Sequence, residues 1–352
     1  MTVLFLPDAR DWNPYQSNLA NSIDIEVIFG EDEKYLPILH SVRSRDDISL
    51  IHFHWIHSYI FQRSGPKTAA QLTLTIIQLL ILRIRGIPMV WTVHNVMSHE
   101  SPSPWLERWF KHAFIRFGFC DALFVHCEAV EDSIIKEYNL PEDVREQVQV
   151  IPHGHYLNNY ENDISKEEAR SELGIDRDGT VFLYFGQIRP YKGVPYLMDE
   201  FSSLEAPNSR LLVVGSPMNE SIKNTVQEKS KTDDRITTVL EFVPDEDIQL
   251  YMNASDCVVL PYNEITTSGS AVLAISFSKA VIIPRHGCVP EQLDEEGSLM
   301  YPPGTEDGLR TALTEALNRD LASMGKHNGE LARQYDWDEI AETTYRVYSR
   351  LK

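Results

Sequence analysis

Two cations stand three residues apart in FGQIRPYKG (185–193). Arg189 and Lys192 follow an apolar run that ends at Gly186, and Gly193 opens a helical pattern. Two cations at the carboxyl end of a strand, beside a helix start, suit a diphosphate: they give charge-assisted hydrogen bonds, and the helix adds unpaired N–H groups. The plain alternative is a pair of solvated surface cations; the flanking glycines favour the anion site. A second segment, LPYNEITTSGS (260–270), places Glu264 after another apolar run and Ser268, Gly269 and Ser270 at the start of an apolar helix. Such a start offers N–H groups and hydroxyls to phosphate, or Ser268 is a simple N-cap. Two phosphate-type sites in one half of the chain predict one shared diphosphate ligand.

The first half carries histidines. In IHFHWIH (51–57), His52 and His54 share one strand face, a spacing that admits a metal. No acidic or cysteine ligand lies nearby in sequence, so no metal is expected. The preferred reading is a strand end reaching an acceptor substrate, with His54 and Trp55 beside it. TVHN (92–95) ends another apolar run at His94, and His99 and Glu100 follow it toward the same edge. After the first apolar run the chain reads PDARDWNPYQ, where Asn13, Pro14 and Tyr15 open a helix.

The elements that must hold these residues alternate. Apolar runs at 3–7, 23–30, 48–55, 88–95, 121–127 and 148–154 predict strands, with helical patterns at 68–85, 104–118 and 128–138 among the segments between them. A polar stretch, 153–179, holds one short helical pattern. The alternation resumes with strands at 180–186, 210–216, 236–243, 256–262 and 279–284, separated by helices at 192–204, 219–231, 245–254 and 269–278, with another at 306–318. Runs apolar on both faces and separated by helices indicate parallel sheets covered on two sides. The chain thus divides into a lobe over 1–155, a lobe over 156–335 and a closing helix over 336–352 that could pack back on the first lobe. Ligands of such sheets bind at the carboxyl ends of the strands, so a cleft between the lobes is the expected site. Neither G-x-G-x-x-G after the first strand nor G-x-x-x-x-G-K-[ST] occurs, which disfavours dinucleotide oxidoreductases and P-loop enzymes.

The net charge of -20 over 352 residues opposes phosphate backbones, so no nucleic-acid partner is expected. The four cysteines form no C-x-x-C pair and read as buried free thiols. The N-terminus shows no basic region followed by an apolar core, so a cytoplasmic protein is expected. The apolar stretch 72–86 is too short and too interrupted to span a bilayer. The helix over 68–86, with Arg83 and Arg85 at its end, reads either as a core helix or as one resting on the inner membrane face. The core reading is preferred, because the negative chain attaches weakly to anionic lipid.

The whole chain resembles a GT-B glycosyltransferase of the retaining family 4 type, best from Ile151 to about Pro284. GQIRPYKG (186–193) resembles the family's G-R-x-x-x-x-K-G element, which implies that Arg189 and Lys192 hold a donor diphosphate, with Gly186 beside it. LPYNE resembles the start of the family's Glu-x7-Glu region, implying that Glu264 contacts the transferred sugar. The second Glu of that region corresponds to Leu273, with the spacing one residue longer, so no ribose contact is assigned there. Glu291 in CVPE (288–291) resembles a further carboxylate that meets the ribose, or it caps a helix. TVHN resembles the strand-end histidine that faces the donor sugar, implying that His94 orients it and stabilises charge. His153 and Gly154 resemble a strand-loop element close to the donor. The family's N-terminal glycine loop, which usually meets the acceptor, is missing; the resemblance implies that Asn13 and Tyr15 in its place line the acceptor side, without naming the acceptor.

The resemblance implies two Rossmann-like lobes and transfer of a sugar from a UDP- or GDP-sugar to a hydroxyl on a glycan or lipid-linked sugar. It implies retention, with the leaving phosphate helping to deprotonate the acceptor, and neither cofactor nor metal. Two alternatives stand beside it: a nucleotide-sugar epimerase on the same fold, for which no acid/base pair is evident, and a non-catalytic homologue, which the missing Glu and glycine loop would suit.

Overall fold

The computed structural model describes residues 1–30, 36–43, 45, 47–60, 66–98, 101–176 and 178–352. They form two compact units, Met1–Gly154 with Asp336–Lys352, and His155–Tyr335.

The first unit is built on six strands: β1 (Thr2–Leu6), β2 (Glu26–Phe29), β3 (Ile48–Phe53), β4 (Met89–Thr92), β5 (Ala122–Val125) and β6 (Val148–Val150). They pair in parallel in the order β2-β1-β3-β4-β5-β6. Because all run the same way, the residue after each strand falls on one edge of the sheet. β1, β4 and β5 are buried throughout, as apolar runs covered on both faces must be. The closing helix, Trp337–Leu351, belongs to this unit. Trp337, Ile340, Val347 and Tyr348 join the core formed by Val3, Phe5, Tyr15 and Phe124. Tyr348 Oη also meets His52 Nδ1 at 2.5 Å, tying the helix to β3.

The second unit repeats the plan with β7 (Val181–Phe185), β8 (Arg210–Val214), β9 (Ile236–Val239), β10 (Cys257–Val259), β11 (Ala280–Pro284) and β12 (Ser298–Tyr301), in the order β12-β11-β10-β7-β8-β9, again parallel. Eleven strands lie where the apolar runs predict them. The twelfth, β12, is a four-residue strand at the sheet edge that pairs with β11 alone; its run SLMY is too short to stand out from a turn. The helices Pro37–Arg43 and Leu321–Ala332 were also not evident from the sequence pattern. Polar clamps fix strand starts: buried Arg170 donates to Asp256 at 2.6 Å, and the same carboxylate accepts from Val181 N at 2.7 Å, pinning β7 to the start of β10.

Of the four cysteines, Cys120 and Cys257 are buried free thiols, whereas Cys127 and Cys288 are not free, so that expectation holds for two of them.

Candidate active site

In the second unit the loops after β7, β8, β10 and β11 are laced together at the carboxyl edge. The loop after β7 bonds to that after β8 through Ile188 N–Ser216 O (2.8 Å) and Met218 N–Ile188 O (2.9 Å). It bonds to the loop after β10 through Asn263 N–Tyr191 O (2.8 Å), and Cys288 N reaches Thr266 O at 2.9 Å from beyond β11. Gly193 makes the junction with the loop after β10 possible. Its φ is +67°, and a Cβ there would lie 2.2 Å from the Pro261 carbonyl oxygen, so no larger residue fits.

This lacing brings Arg189, Lys192, Glu264, the Ser268–Ser270 turn and Glu291 to neighbouring strand ends. Gly186 has φ +131°, and a methyl group on it would stand 3.3 Å from Ser270 Oγ and 3.7 Å from Lys192 Nζ. A hydroxyl and an ammonium therefore border the space over Gly186, where a glycine leaves room for an anion. Lys192 Nζ is braced by Tyr262, whose hydroxyl is 3.3 Å away and whose ring centroid is 4.8 Å away. Arg189 Nε is held by Gln187 Oε1 at 2.9 Å. Tyr262 and Gln187 were not singled out in sequence, because neither carries a charge or a motif.

Ser268 differs from its neighbours. It is buried, and its Oγ accepts from Ala271 N at 3.0 Å, capping the Gly269–Ser276 helix. Its hydroxyl oxygen is thus engaged by the helix, and Gly269 and Ser270 carry the outward-facing N–H groups of the first turn. Glu264 and Glu291 are exposed, the latter in the first turn of the Val289–Gln292 helix. Leu273 is core, which explains why no polar ribose contact can arise there.

In the first unit the strand-end rule yields a row of histidines. His54 follows β3, His94 follows β4, His126 follows β5 and His153 follows β6, on four adjacent strands. His54 Nδ1 is 3.2 Å from His94 Nε2, and His94 Nδ1 is 3.3 Å from His126 Nε2. His126 Nδ1 is 2.9 Å from the Ile151 carbonyl oxygen. Burial lowers the pKa of every member, His126 to about 4 and His153 to about 3, with His126 adding to the effect at His153. The row is therefore neutral near pH 7.

Tyr15, at the start of the Tyr15–Ser22 helix, lays its ring edge-on against His54, His94, His126 and His153. Trp55 stacks flat on His94 at 4.2 Å, and Trp12 packs on Trp55 at 4.6 Å. Asn13 Oδ1 accepts from Tyr15 N at 2.9 Å, shaping the helix entry. His94 has both ring nitrogens engaged by other histidines, so it offers a sugar only ring carbons unless one of those bonds opens. His153 Nδ1 meets the Gly154 carbonyl oxygen at 2.9 Å, and a Cβ on Gly154 would strike the Trp337 ring at 2.3 Å, so that glycine is required by packing. His99 and Glu100 lie outside the described residues. No motif marks His126 in its segment; the sequence signal is a histidine next to last in each of the four apolar runs 48–55, 88–95, 121–127 and 148–154. Among the described residues no group of three or more His, Cys, Asp or Glu is arranged to hold a metal ion.

Two parallel-sheet units, one with cations gathered at its carboxyl edge, are the architecture of GT-B glycosyltransferases. The description Glycosyltransferase Family 4 matches residues 35–158, and Glycosyl transferases group 1 matches residues 179–319. The chain is 27% identical to the GDP-mannose:glycolipid 4-beta-D-mannosyltransferase of Xanthomonas campestris pv. campestris, over 99% of this chain and 92% of that one. Its fold is similar to Anabaena Alr3699/HepE in complex with UDP (TM-score 0.76, 18% identity, 99% and 100% covered) and to WaaG, a glycosyltransferase of lipopolysaccharide biosynthesis (TM-score 0.67, 14% identity, 99% of each). The chain belongs to the group 1, family 4 glycosyltransferases, and its activity is transfer of a sugar from a nucleotide-sugar donor. The epimerase and inactive-homologue readings are not favoured.

Proposed function

We propose that the second unit is the donor lobe, that the first is the acceptor lobe, and that the enzyme moves mannose from GDP-mannose to a hydroxyl of a glycolipid. The convergence of Lys192 and Ser270 over Gly186 carries the donor assignment. Arg189 and Lys192 neutralise the departing diphosphate, and the N–H groups of Gly269 and Ser270 share its charge. Glu264 holds the transferred sugar, and Glu291 stands near the ribose. Asn13, Tyr15, His54 and Trp55 form the acceptor side, with His94 backing it. The choice of GDP-mannose and of a glycolipid follows the relative that matches the whole chain; a UDP-sugar is the competing donor, as in the complexes of Alr3699/HepE.

No cofactor or metal is required in this scheme, because protein cations meet the diphosphate charge. Activity that a chelator abolishes and one divalent ion restores would contradict that. The family resemblance implies retention, whereas the mannosyltransferase relative is named for a beta product. Proton NMR of the product anomer, formed from GDP-α-mannose, decides between the two. The donor is tested by thermal shift: GDP-mannose should raise the melting temperature more than UDP-glucose, since a ligand that binds only the folded state stabilises it by mass action. The opposite order would reassign the base.

The enzyme also rests on a membrane surface in this reading. The Pro66–Ile84 helix buries Leu72, Leu79 and Leu82 but exposes Leu74, Ile77, Leu80 and Ile84, so the core reading holds for one face only. By length and composition Lys67–Ile84 could cross a bilayer. Its place as the crossover between two paired strands, with one face in the core, argues against that. The Pro104–Arg116 helix and the residue after it expose Trp105, Trp109 and Phe117. Arg83 Nη2 lies 3.7 Å from where a Cβ on Gly118 would stand, so the ends of the two helices meet. Apolar side chains with aromatic residues and Arg83, Arg85 and Arg116 near the helix ends suit an anionic lipid interface.

A further inference from the structure

A carbonyl oxygen only accepts hydrogen bonds, so the Ile151 carbonyl requires the proton of His126 on Nδ1. In the neutral ring Nε2 is then an acceptor, and the bond to it must come from His94 Nδ1–H. His94 Nε2 is in turn an acceptor and takes its bond from His54 Nδ1–H. The row has one direction, and it ends at His54 Nε2, which carries a lone pair. That atom is buried and has no hydrogen-bond partner among the described residues, while His54 as a whole is 1% exposed. Leaving a buried acceptor unpaired forfeits its hydration with nothing in return, so such an atom needs a reason.

We infer that His54 Nε2 takes the proton of the acceptor hydroxyl during sugar transfer, and that His94 and His126 are positioning residues that keep this nitrogen bare and carry the arriving charge away. The inference rests on the glycosyl-transfer activity and assigns the proton to the protein in place of the leaving phosphate that the family resemblance implies. As the hydroxyl oxygen bonds to the sugar's anomeric carbon, the bond from that carbon to the diphosphate breaks, and its electron pair leaves with the nucleoside diphosphate. The hydroxyl proton moves to His54 Nε2. The Nδ1 proton of His54 can pass to His94 Nε2, and the Nδ1 proton of His94 to His126 Nε2. His126 then holds the charge with its own Nδ1–H still on Ile151.

The surroundings fit this use. The flat stack of Trp55 on His94 stabilises an imidazolium as it passes. Trp12, 62% exposed, packs on Trp55, so an aromatic platform for a sugar ring leads from solvent to the row. Phe5, Tyr15, His52 and Trp55 surround the His54 ring, and the acceptor displaces part of this cover to reach Nε2.

Nitrogen-15 NMR of the histidine rings in the wild-type enzyme at pH 7.5, assigned by single substitutions, tests the direction. Nδ1–H tautomers at His54, His94 and His126 are expected; a proton on His54 Nε2 would overturn the proposal whatever the activity. His54→Asn then tests the chemistry, since its amide keeps a donor near the Nδ1 position and has no lone pair at Nε2. Transfer from GDP-mannose to dodecyl glucoside should fall by about 100-fold or more, with calorimetric affinity for GDP unchanged. His126→Asn should lower kcat while leaving the KM for GDP-mannose in place. A folded His54→Asn enzyme that transfers at the wild-type rate refutes the role. Wild-type inactivity with both GDP-mannose and UDP-glucose would count against the donor reading instead, and the tautomers would still decide the row.

Discussion

His126 Nδ1 stands 2.9 Å from the carbonyl oxygen of Ile151, and this contact orders three side chains on three strands. Ile151 directly follows β6, and its N–H bonds to the Val125 carbonyl of β5 at 2.7 Å, which anchors the segment to the sheet edge. The second unit uses the same edge differently, for cations and helix N–H groups. Equivalent strand ends thus carry neutral histidines in one unit and cations with helix N–H groups in the other, a division that suits the proposed acceptor hydroxyl and diphosphate donor.

Arg189→Ala and Lys192→Ala should each weaken nucleoside-diphosphate affinity and slow transfer. Loss of one charge-assisted contact costs about 1.5–3 kcal/mol, or about 10- to 150-fold in affinity. Titration calorimetry with GDP and with UDP checks this; two folded variants with wild-type affinity would move the diphosphate site elsewhere.

Gly193→Ala should destabilise the second unit and abolish donor binding together. The substitution forces an L-residue to φ +67° and drives a Cβ to 2.2 Å from the Pro261 oxygen, which parts the loops after β7 and β10. The αL penalty alone is about 1–2 kcal/mol. A melting temperature equal to wild type would show that the loops are not interdependent.

Much of this was legible in the sequence because strand ends are legible. Arg189, Lys192, Glu264, His54 and His94 each follow an apolar run, and each was found by that rule. What the sequence hides is the pairing. Nothing in TVHN says that both nitrogens of His94 bond to other histidines, because His54 and His126 are 40 and 32 residues away. Ser268 reads from sequence either as a phosphate ligand or as an N-cap, and the bond from Ala271 N to its Oγ shows the cap. Gly154 resembled a ligand-loop glycine, yet its partner is Trp337 in the closing helix.

Liposome flotation tests the lipid-facing surface. The protein should float with vesicles rich in phosphatidylglycerol, and Ile77→Asp combined with Trp105→Asp should reduce the bound fraction without changing the melting temperature, since both side chains are exposed. Equal flotation of variant and wild type would remove the membrane reading.

Stability should fall on acidification below pH 6.5. His126 titrates at about 4 and His153 at about 3 in the folded chain, both lowered first by burial, against about 6.5 when unfolded. The unfolded state therefore binds more protons between these values, so the stabilisation is complete above pH 6.5 and is lost as pH falls toward 4 and 3. For His126 alone this amounts to about 3 kcal/mol at about 1.4 kcal/mol per unit. Urea melts at pH 7.5 and 5.0 should differ, and His126→Asn should reduce the difference; a pH-independent midpoint would mean that the row is not buried neutral.

Glu264→Gln addresses the group that separates sugar contact from nucleotide contact. Glu264 is exposed in the loop after β10, four residues before the capped start of the Gly269–Ser276 helix at Ser268. A carboxylate so near an anion site repels the diphosphate unless it has work on the sugar, where it accepts from a hydroxyl. Gln keeps an acceptor oxygen and the shape but removes the charge. Turnover should therefore fall while affinity for free GDP stays level or rises slightly, the signature of an interaction made with the transferred group in the transition state. Calorimetry with GDP beside the transfer rate from GDP-mannose distinguishes the roles. If GDP affinity falls in step with the rate, Glu264 holds the nucleotide; if a folded Glu264→Ala protein transfers normally, the sugar is held by another residue.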